Sequence, residues 1–272
     1  MKSLLLKMPF QTERVIEVDC PEVRLELEKK YGHYINVCSS NRIADIRIKK
    51  SSEYGYVVTL GETVTQTSLP LFCVESFLFE HPTYDEAVFA LHGAAVEWKG
   101  KGYVFLAPTT TGKTTLTSYL TSFGCGYLTE DCVLLDRNSL EIYPFSMPLH
   151  LREGGVEVLK RHSALPENLQ RFHENNGACR YSYTPSNCVE RAVPLGEIFF
   201  IERTGDQNTV LPMTAVEKIA ALMKAPIMVY PITPKYLQFL AGIAARHCKC
   251  LRYSNMNFVK EVIEQYATES FT

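Results

Sequence analysis

The stretch FLAPTTTGKTTL, residues 105–116, contains the pattern that decides the fold of the chain. An apolar run ends at Leu106, a loop of small residues follows, and Gly112-Lys113-Thr114 opens a segment with helical character. A strand, a glycine-containing turn and a helix in this order form a phosphate-binding loop, because main-chain N–H groups and the helix dipole attract an anion. The stretch therefore predicts an α/β domain with a nucleotide site.

The loop departs from the usual Walker A pattern at its first glycine, which is Ala107 here. Alanine is also small, so the main chain can still approach a phosphate closely. We expect Lys113 to reach the β- and γ-phosphates of ATP or another nucleoside triphosphate, and the Thr114 hydroxyl to ligate Mg²⁺. A helix cap followed by a chance Gly-Lys-Thr is disfavoured, because strand, loop and helix are in register. The residues expected to contact the nucleotide are Ala107, Pro108, Thr109, Thr110, Thr111, Gly112, Lys113, Thr114 and Thr115.

Two acidic positions compete for the metal. The segment CVLLD has the form of a Walker B strand, four apolar residues ending in Asp136. The segment YLTED places Glu130 and Asp131 at the end of the strand that directly follows the loop helix. An acidic pair so soon after the lysine is unusual for ordinary P-loop ATPases, and a solvated turn is the alternative interpretation of this pair.

Residues 91–136 resemble the core of the HPr kinase/phosphorylase superfamily, which shares its nucleotide-binding fold with phosphoenolpyruvate carboxykinase. That family has a His-Gly strand start, an apolar strand, a loop ending in Gly-Lys-Ser/Thr, and an acidic pair on the next strand. The corresponding residues are His92-Gly93, Tyr103–Leu106, Gly112-Lys113-Thr114 and Glu130-Asp131. The chain is particularly similar to the HPr-kinase-like proteins found with ribosomally made peptides, including lasso-peptide kinases that phosphorylate a precursor serine. The segments PLHLREGG and PLGEIFFIER also resemble parts of these proteins.

The resemblance implies a kinase that uses ATP and Mg²⁺ to phosphorylate a hydroxyl, a serine of a peptide or small protein. The implied catalytic residues are His92, Lys113, Glu130, Asp131 and Arg152, and the implied metal ligands are Thr114, Asp131 and Glu130. We expect Glu130 to be the general base and Asp131 to hold the metal with Thr114. We expect His92 to contact the γ-phosphate or orient the acidic pair, and Arg152 to stabilise charge on the transferred group.

The chain departs from the family pattern in two ways that affect the expected reaction and substrate. The family commonly has Asp-Asp where this chain has Glu130-Asp131, which leaves the division of roles within the pair open. The lysine-bearing loop that HPr kinases use for the reverse phosphorolysis is not found, so neither that reaction nor HPr as substrate is expected. Three alternatives are a small-molecule kinase of the same fold, a carboxykinase-like decarboxylase and a non-catalytic nucleotide-binding module. The decarboxylase is disfavoured because the chain is far shorter than those enzymes and has no extra Lys and His ligand set.

The organisation predicted is a small β-rich N-terminal lobe, residues 1–82, and an HPr-kinase-like catalytic domain, residues 83–272. The fold class is α/β with a mixed sheet. The polar segment 161–192 shows little periodicity and is expected to be a lid or loop that binds the acceptor, because loops on a rigid scaffold often determine specificity. Side chains in it that suit a peptide or a carboxylate are Arg171, Arg180, Tyr181 and Tyr183.

Composition excludes several partners. The 272 residues have a formal net charge of -2 and no Lys/Arg block, so a nucleic-acid partner has no electrostatic support. No run of about eighteen apolar residues is present, so no membrane span is expected. Nine cysteines at irregular spacing predict reduced thiols in a cytoplasmic protein. The resemblance is compatible with a homo-oligomer.

Overall fold

The computed structural model describes residues 3–9, 12–38, 42–79, 87–173, 178–227 and 230–268. The chain divides into two compact units, Met1–Tyr84 and Asp85–Thr272. The domain boundary expected at residues 82 and 83 lies outside the described residues. Within the described part the chain forms three sheets and seven α-helices, which confirms the mixed α/β class.

The N-terminal unit contains a six-stranded sheet in the order β3-β1-β2-β4-β5-β6, in which only the β2–β4 pair is parallel among the described strands. In β4, Ile46 and Ile48 are buried while Arg47 and Lys49 are exposed, as the alternation of the sequence predicts. The strands are β1 (Ser3–Met8), β2 (Thr12–Val18), β3 (Ile35–Cys38), β4 (Ile46–Ser51), β5 (Gly55–Leu60) and β6 (Thr63–Thr67), and the helices are α1 (Pro21–Tyr31) and α2 (Pro70–Phe79). The periodicity of PLFCVESFLF, residues 70–79, does not distinguish helix from strand, and the structure has a helix there.

The C-terminal unit is built on a nine-stranded mixed sheet. The order is β10-β8-β9-β16-β12-β11-β7, with β18 beside β16 and β17 beside β18. The long strand β16 runs parallel to β9 and β18, and its first residues pair with β12. The strands are β7 (Val88–Leu91), β8 (Gly93–Trp98), β9 (Lys101–Leu106), β10 (Gly126–Thr129), β11 (Val133–Asp136), β12 (Glu141–Tyr143), β16 (Val193–Arg203), β17 (Thr209–Pro212) and β18 (Lys249–Tyr253).

A separate three-stranded antiparallel sheet has the order β13-β15-β14, with β13 (Leu149–Arg152), β14 (Gln170–His173) and β15 (Cys179–Tyr183). The expected acceptor segment 161–192 is therefore not a structureless loop, because it contains β14 and β15. Periodicity missed these strands because most of their side chains are half-exposed and only Tyr183 is buried. Residues 174–177 of the segment lie outside the described residues.

Two hydrophobic cores lie on opposite faces of the large sheet. Side chains of β9 alternate between them: Tyr103 and Phe105 belong to one core, Val104 and Leu106 to the other. The first core packs α3 (Lys113–Ser122), α4 (Glu153–Arg161) and α7 (Met256–Thr268) against the sheet. The second packs α5 (Ala215–Lys224) and α6 (Pro234–Arg246). The helix α3, which follows the phosphate-binding loop pattern, is thus packed against one face of the large sheet.

Candidate active site

The loop between β9 and α3 is shaped by two left-handed residues. Thr110 has φ 73° and Gly112 has φ 100°, directly before the first helical residue. A Cβ added to Gly112 would meet no heavy atom within 4 Å, so the backbone conformation rather than lack of space favours glycine there. A non-glycine residue in this region costs about 1–2 kcal/mol, and such strain is common at ligand-binding loops.

The N-terminus of α3 offers unpaired donors. No side chain caps it, and the first N–H groups of a helix have no acceptor within the helix. Among the described residues no acceptor contacts the N–H groups of Lys113, Thr114 or Thr115. The loop is closed instead at Pro108, whose carbonyl oxygen accepts from the Thr111 hydroxyl at 2.9 Å. This arrangement is suited to an anion such as a phosphate.

The Lys113 side chain folds back over the loop. It is 6% exposed, and its Nζ donates to the Ala107 carbonyl oxygen at 2.8 Å and to that of Pro108 at 3.4 Å. Burial lowers the pKa of Lys113, while the charges of Asp131 and Glu130 act in the opposite direction. Neither carboxylate forms an ion pair with this ammonium group within the described part of the chain. A buried ammonium group whose partners are neutral acceptors is suited to exchange the two carbonyl oxygens for phosphate oxygens.

His92 connects the lysine to the acidic pair. It occupies the bend between β7 and β8, with its Nε2 at 3.4 Å from Lys113 Nζ and its Nδ1 at 3.3 Å from the Asp131 carbonyl oxygen. These partners imply a proton on Nδ1, since Nε2 accepts from the ammonium group. The next residue, Gly93, lies too close to β9 for a side chain, because a Cβ on Gly93 would be 2.8 Å from the Phe105 carbonyl oxygen.

The acidic pair divides into an inner and an outer carboxylate. Glu130 is 5% exposed and hydrogen-bonds the Thr114 side chain and the His150 main-chain N–H. Burial, aided by the charge of Asp131, raises the pKa of Glu130 to about 8. Asp131 is exposed and has a left-handed backbone with φ 60°. It lies in a tight turn in which the Cys132 N–H donates to the Glu130 carbonyl oxygen at 2.7 Å.

The donor set fits a divalent cation that prefers oxygen. Thr114 supplies a hydroxyl, and Glu130 and Asp131 supply two carboxylates whose mutual repulsion a cation would relieve. Within the described ranges no three His, Cys, Asp or Glu side chains group closely enough to hold a metal by themselves. Mg²⁺ keeps several waters and takes phosphate oxygens as further ligands, so a hydroxyl and one or two carboxylates of the protein suit it.

Asp136, the other acidic residue considered for the metal, lies away from this cluster. It pairs with Val88 at the end of β11, whereas Val133 pairs with Leu91 beside His92. Three residues of strand separate the two ends by about 10 Å. The Asp136 carboxylate accepts from the N–H groups of Asn138 at 2.7 Å and Ser139 at 2.8 Å. It therefore caps the turn between β11 and β12, and this position does not support the Walker B interpretation of CVLLD.

Arg152 lies beside the cluster without contacting it. The chain passes from His150, whose N–H contacts Glu130, through Arg152 to Gly155. A Cβ on Gly155 would lie 2.7 Å from Thr115 Oγ1, so only glycine lets α4 approach α3 so closely. Arg152 is exposed between these two contacts, and no described residue hydrogen-bonds or ion-pairs with its guanidinium group. Sequence reasoning missed Gly155 and the His150 N–H; the double glycine of HLREGG was the available signal.

Comparison with solved structures identifies a remote structural similarity. No protein-family model and no curated protein matches the chain. The HPr(Ser) kinase/phosphatase from Coxiella burnetii aligns with 66% of this chain and 99% of its own, at 9% sequence identity and a TM-score of 0.25. A superposition this loose does not establish a shared fold or activity. In the part of the chain that the structure describes, no helix is both long and apolar enough to cross a membrane.

Proposed function

We propose that this chain is a kinase that uses ATP and Mg²⁺ to transfer a phosphoryl group to the serine hydroxyl of a peptide or small protein. One observation supports the proposal most strongly: uncapped N–H groups, a buried lysine, a hydroxyl and a buried carboxylate meet at the N-terminus of α3. Phosphoryl transfer needs alignment and charge neutralisation more than covalent chemistry, and these groups supply both.

The roles of the two carboxylates follow from their positions. Glu130 contacts Thr114 and is buried, so these two side chains would hold Mg²⁺. When bound, Mg²⁺ supplies positive charge that offsets the charge of the β- and γ-phosphate oxygens. Asp131 is exposed and can be reached by an acceptor. This proposal exchanges the roles expected from the sequence, in which Glu130 was the base and Asp131 the metal ligand.

In the transfer step the acceptor oxygen bonds to the γ-phosphorus while the bond from that phosphorus to the β–γ bridging oxygen breaks. The electron pair of the broken bond stays on the leaving ADP, and the hydroxyl proton passes to the Asp131 carboxylate. Lys113 leaves the Ala107 carbonyl for the phosphates, and His92 keeps contact with both Lys113 and the Asp131 turn. Arg152, beside the cluster, stabilises charge on the transferred group.

The test is transfer of labelled γ-phosphate from ATP to serine-containing peptides by the purified full chain. Replacing Lys113 by alanine should lower the rate by at least about 100-fold, the effect typical of losing one preorganised donor to a developing charge. Lys224→Ala is the matched control, because Lys224 is an exposed lysine in the last turn of α5. Equal transfer by wild type and Lys113→Ala would exclude this site as the kinase centre, and ATP binding without any transfer would favour the non-catalytic alternative.

A further inference from the structure

A cleft beside α3 is lined by groups that the proposed transfer step does not use. Its volume is about 400 Å³, within the range of about 300–1,000 Å³ that is usual for ligand sites. One wall is the C-terminal half of α3, and the rest is formed by residues 164–168 and 183–187. These two stretches belong to the segment 161–192, in which the sequence predicts acceptor binding.

The hydroxyl groups on the α3 wall have committed their hydrogens to main-chain carbonyl groups. Ser118 Oγ donates to the Thr114 carbonyl oxygen at 2.8 Å, and Thr121 Oγ1 donates to that of Ser118 at 3.0 Å. Ser122 Oγ donates to the carbonyl oxygen three residues before it, at 2.7 Å. A hydroxyl has one hydrogen and two lone pairs, so toward the cleft these oxygens are acceptors.

The amide group of Asn187, on the opposite wall, is committed in the same way. Its Nδ2 donates to the carbonyl oxygens of Thr121 at 3.1 Å and Cys125 at 2.6 Å, which uses both N–H groups. Because carbonyl oxygens only accept, these two partners also determine which end of the amide is the nitrogen. The other end, Oδ1, is an acceptor.

The charge of the lining favours a cation. Glu167 is an exposed carboxylate at the rim, and no Lys, Arg or His is among the described residues that line the cleft. Burial raises the pKa of Tyr183, so its hydroxyl stays protonated beside those of Ser118 and Thr121. Apolar surface is supplied by four other residues: Ala164, Leu165, Pro166 and Pro185. Acceptors, a carboxylate and apolar surface together suit a cationic group on an aliphatic stem.

We infer that the cleft binds a basic side chain of the acceptor peptide, the guanidinium of an arginine or the ammonium of a lysine. This inference rests on the proposed kinase function and specifies its substrate class. Both groups donate hydrogen bonds and accept none, which matches the accepting groups of the lining. Ser118 lies one turn of α3 beyond Thr114, about 6 Å along the helix axis. An extended peptide advances about 3.3 Å per residue, so the basic residue lies within a few positions of the serine.

The first experiment measures binding to the full chain without any transfer. The probes are N-acetyl-arginine methylamide and its citrulline analogue, which has nearly the same shape and no charge, each titrated by ligand-observed NMR. The arginine compound should bind at least about tenfold more tightly, with the difference shrinking at high salt. Glu167→Gln should weaken its binding several-fold. Ser122→Arg should abolish the binding, because it places a guanidinium group of the chain itself at the cleft.

Glu190→Gln is the matched control, because Glu190 is an exposed glutamate of the segment 161–192 that does not line the cleft. It should bind the arginine compound as wild type does. Positions 122 and 167 are also exposed, and thermal unfolding establishes that all three variants are folded.

The second experiment identifies the source of the cation. Serine peptides carry one arginine or one citrulline at each position from about four residues before the serine to about four after it. At one position at least, the arginine peptide should have a KM about tenfold lower than the citrulline peptide, with little change in kcat. Glu167→Gln should reduce this difference several-fold, and Ser122→Arg should remove it.

Equal binding of the two compounds, or the same loss of binding in Glu190→Gln as in Glu167→Gln, would overturn the inference while leaving the kinase function intact. Tight binding of the arginine compound, with transfer to the peptides but no effect of arginine on KM, would overturn the assignment of the cleft to the acceptor. Binding of the arginine compound without transfer to any peptide would overturn the kinase function and that assignment together.

Discussion

Glu130 and Glu197 are two buried glutamates of the same unit with different surroundings. Glu197 is 1% exposed, and its Oε1 accepts from the Ile198 N–H at 2.9 Å and the Cys248 N–H at 2.6 Å. Burial raises the pKa of Glu197, as it does that of Glu130. Burial also lowers the pKa of His247, whose Nδ1 lies 4.0 Å from Glu197 Oε1, so this histidine does not balance the charge of Glu197.

The two glutamates differ in the groups that surround their carboxylates. Glu197 is held by main-chain N–H groups that connect β16 to the start of β18, so it supports the sheet. Glu130 contacts the Thr114 side chain and lies beside the Asp131 carboxylate and the Lys113 ammonium group, all at the start of α3. A raised pKa alone does not distinguish a structural carboxylate from a functional one. The distinguishing feature is a set of charged neighbours that a bound ligand would rearrange.

The largest expected effect separates the two members of the acidic pair. Asp131→Asn should lower kcat by about 10²–10⁴, the usual contribution of a general base, and leave Mg²⁺-dependent ATP affinity nearly unchanged. Glu130→Gln should weaken Mg²⁺-dependent ATP binding by at least about tenfold, because it removes a charged ligand. Single-turnover transfer and ATP binding, each measured across a Mg²⁺ titration, provide both readouts. The opposite pattern would restore the assignment made from the sequence.

The next effect is on stability and concerns Glu197. Glu197→Ala should lower the free energy of unfolding by at least about 2 kcal/mol, because it leaves two buried N–H groups without an acceptor. Glu197→Gln retains an accepting oxygen and should cost much less. Urea unfolding measures both variants, and ATP binding should persist in Glu197→Gln. A variant that lost ATP binding while remaining folded would show that the two glutamates do not differ in the way described.

The third expected effect is on the pH dependence of the free energy of unfolding. The native pKa of Glu130, about 8, exceeds the ordinary value of 4.5, so the folded chain binds more protons than the unfolded chain between these pH values. The contribution of Glu130 to stability is therefore highest at low pH and falls as pH rises toward about 8. Glu130→Gln should flatten that fall in the absence of Mg²⁺ and ATP. Urea unfolding from about pH 5 to about pH 9 tests the sign, and an identical slope in the variant would contradict it.

The smallest effect concerns two adjacent glycines of α4. Gly155→Ala introduces a Cβ 2.7 Å from Thr115 Oγ1 and should weaken ATP binding several-fold, because Thr115 must turn away. Gly154→Ala is the matched control, since its Cβ would meet nothing within 4 Å. That substitution should stabilise the helix by about 0.5–1 kcal/mol. Fluorescent-nucleotide titration and thermal unfolding distinguish the two, and equal ATP affinity would argue against this contact.

The loop and its lysine could be proposed from the sequence because their signals are local, whereas His92 was implied by the family resemblance. An apolar strand, Gly-Lys-Thr and a helix occur in one short stretch, and His92-Gly93 precedes the adjacent strand of the sheet. The choice between Glu130 and Asp136 could not be made from residue types, since both are acidic residues at the end of a short buried strand. It depends on the register of β11 against β7 and on the turn that Asp136 caps.

Main-chain and packing contacts could not be predicted from the sequence either, because they also depend on the register of the strands. The His150 N–H is a main-chain group, so its contact with Glu130 cannot be predicted from the type of residue at position 150. Strands β14 and β15 have largely half-exposed side chains, and their pairing brings Arg180 opposite Arg152 only through the register of the sheet. The roles of the individual site residues stay predictions.

The most direct test of the central claim is the number of protons released when Mg²⁺ and ATP bind. Calorimetric titration of preformed Mg²⁺·ATP at about pH 7, in buffers with different ionisation enthalpies, gives that number. Wild type should release close to one proton, because a cation beside Glu130 lowers a pKa that is otherwise about 8. Glu197→Gln should do the same, and Glu130→Gln should release almost none. Equal release by wild type and Glu130→Gln would contradict the account.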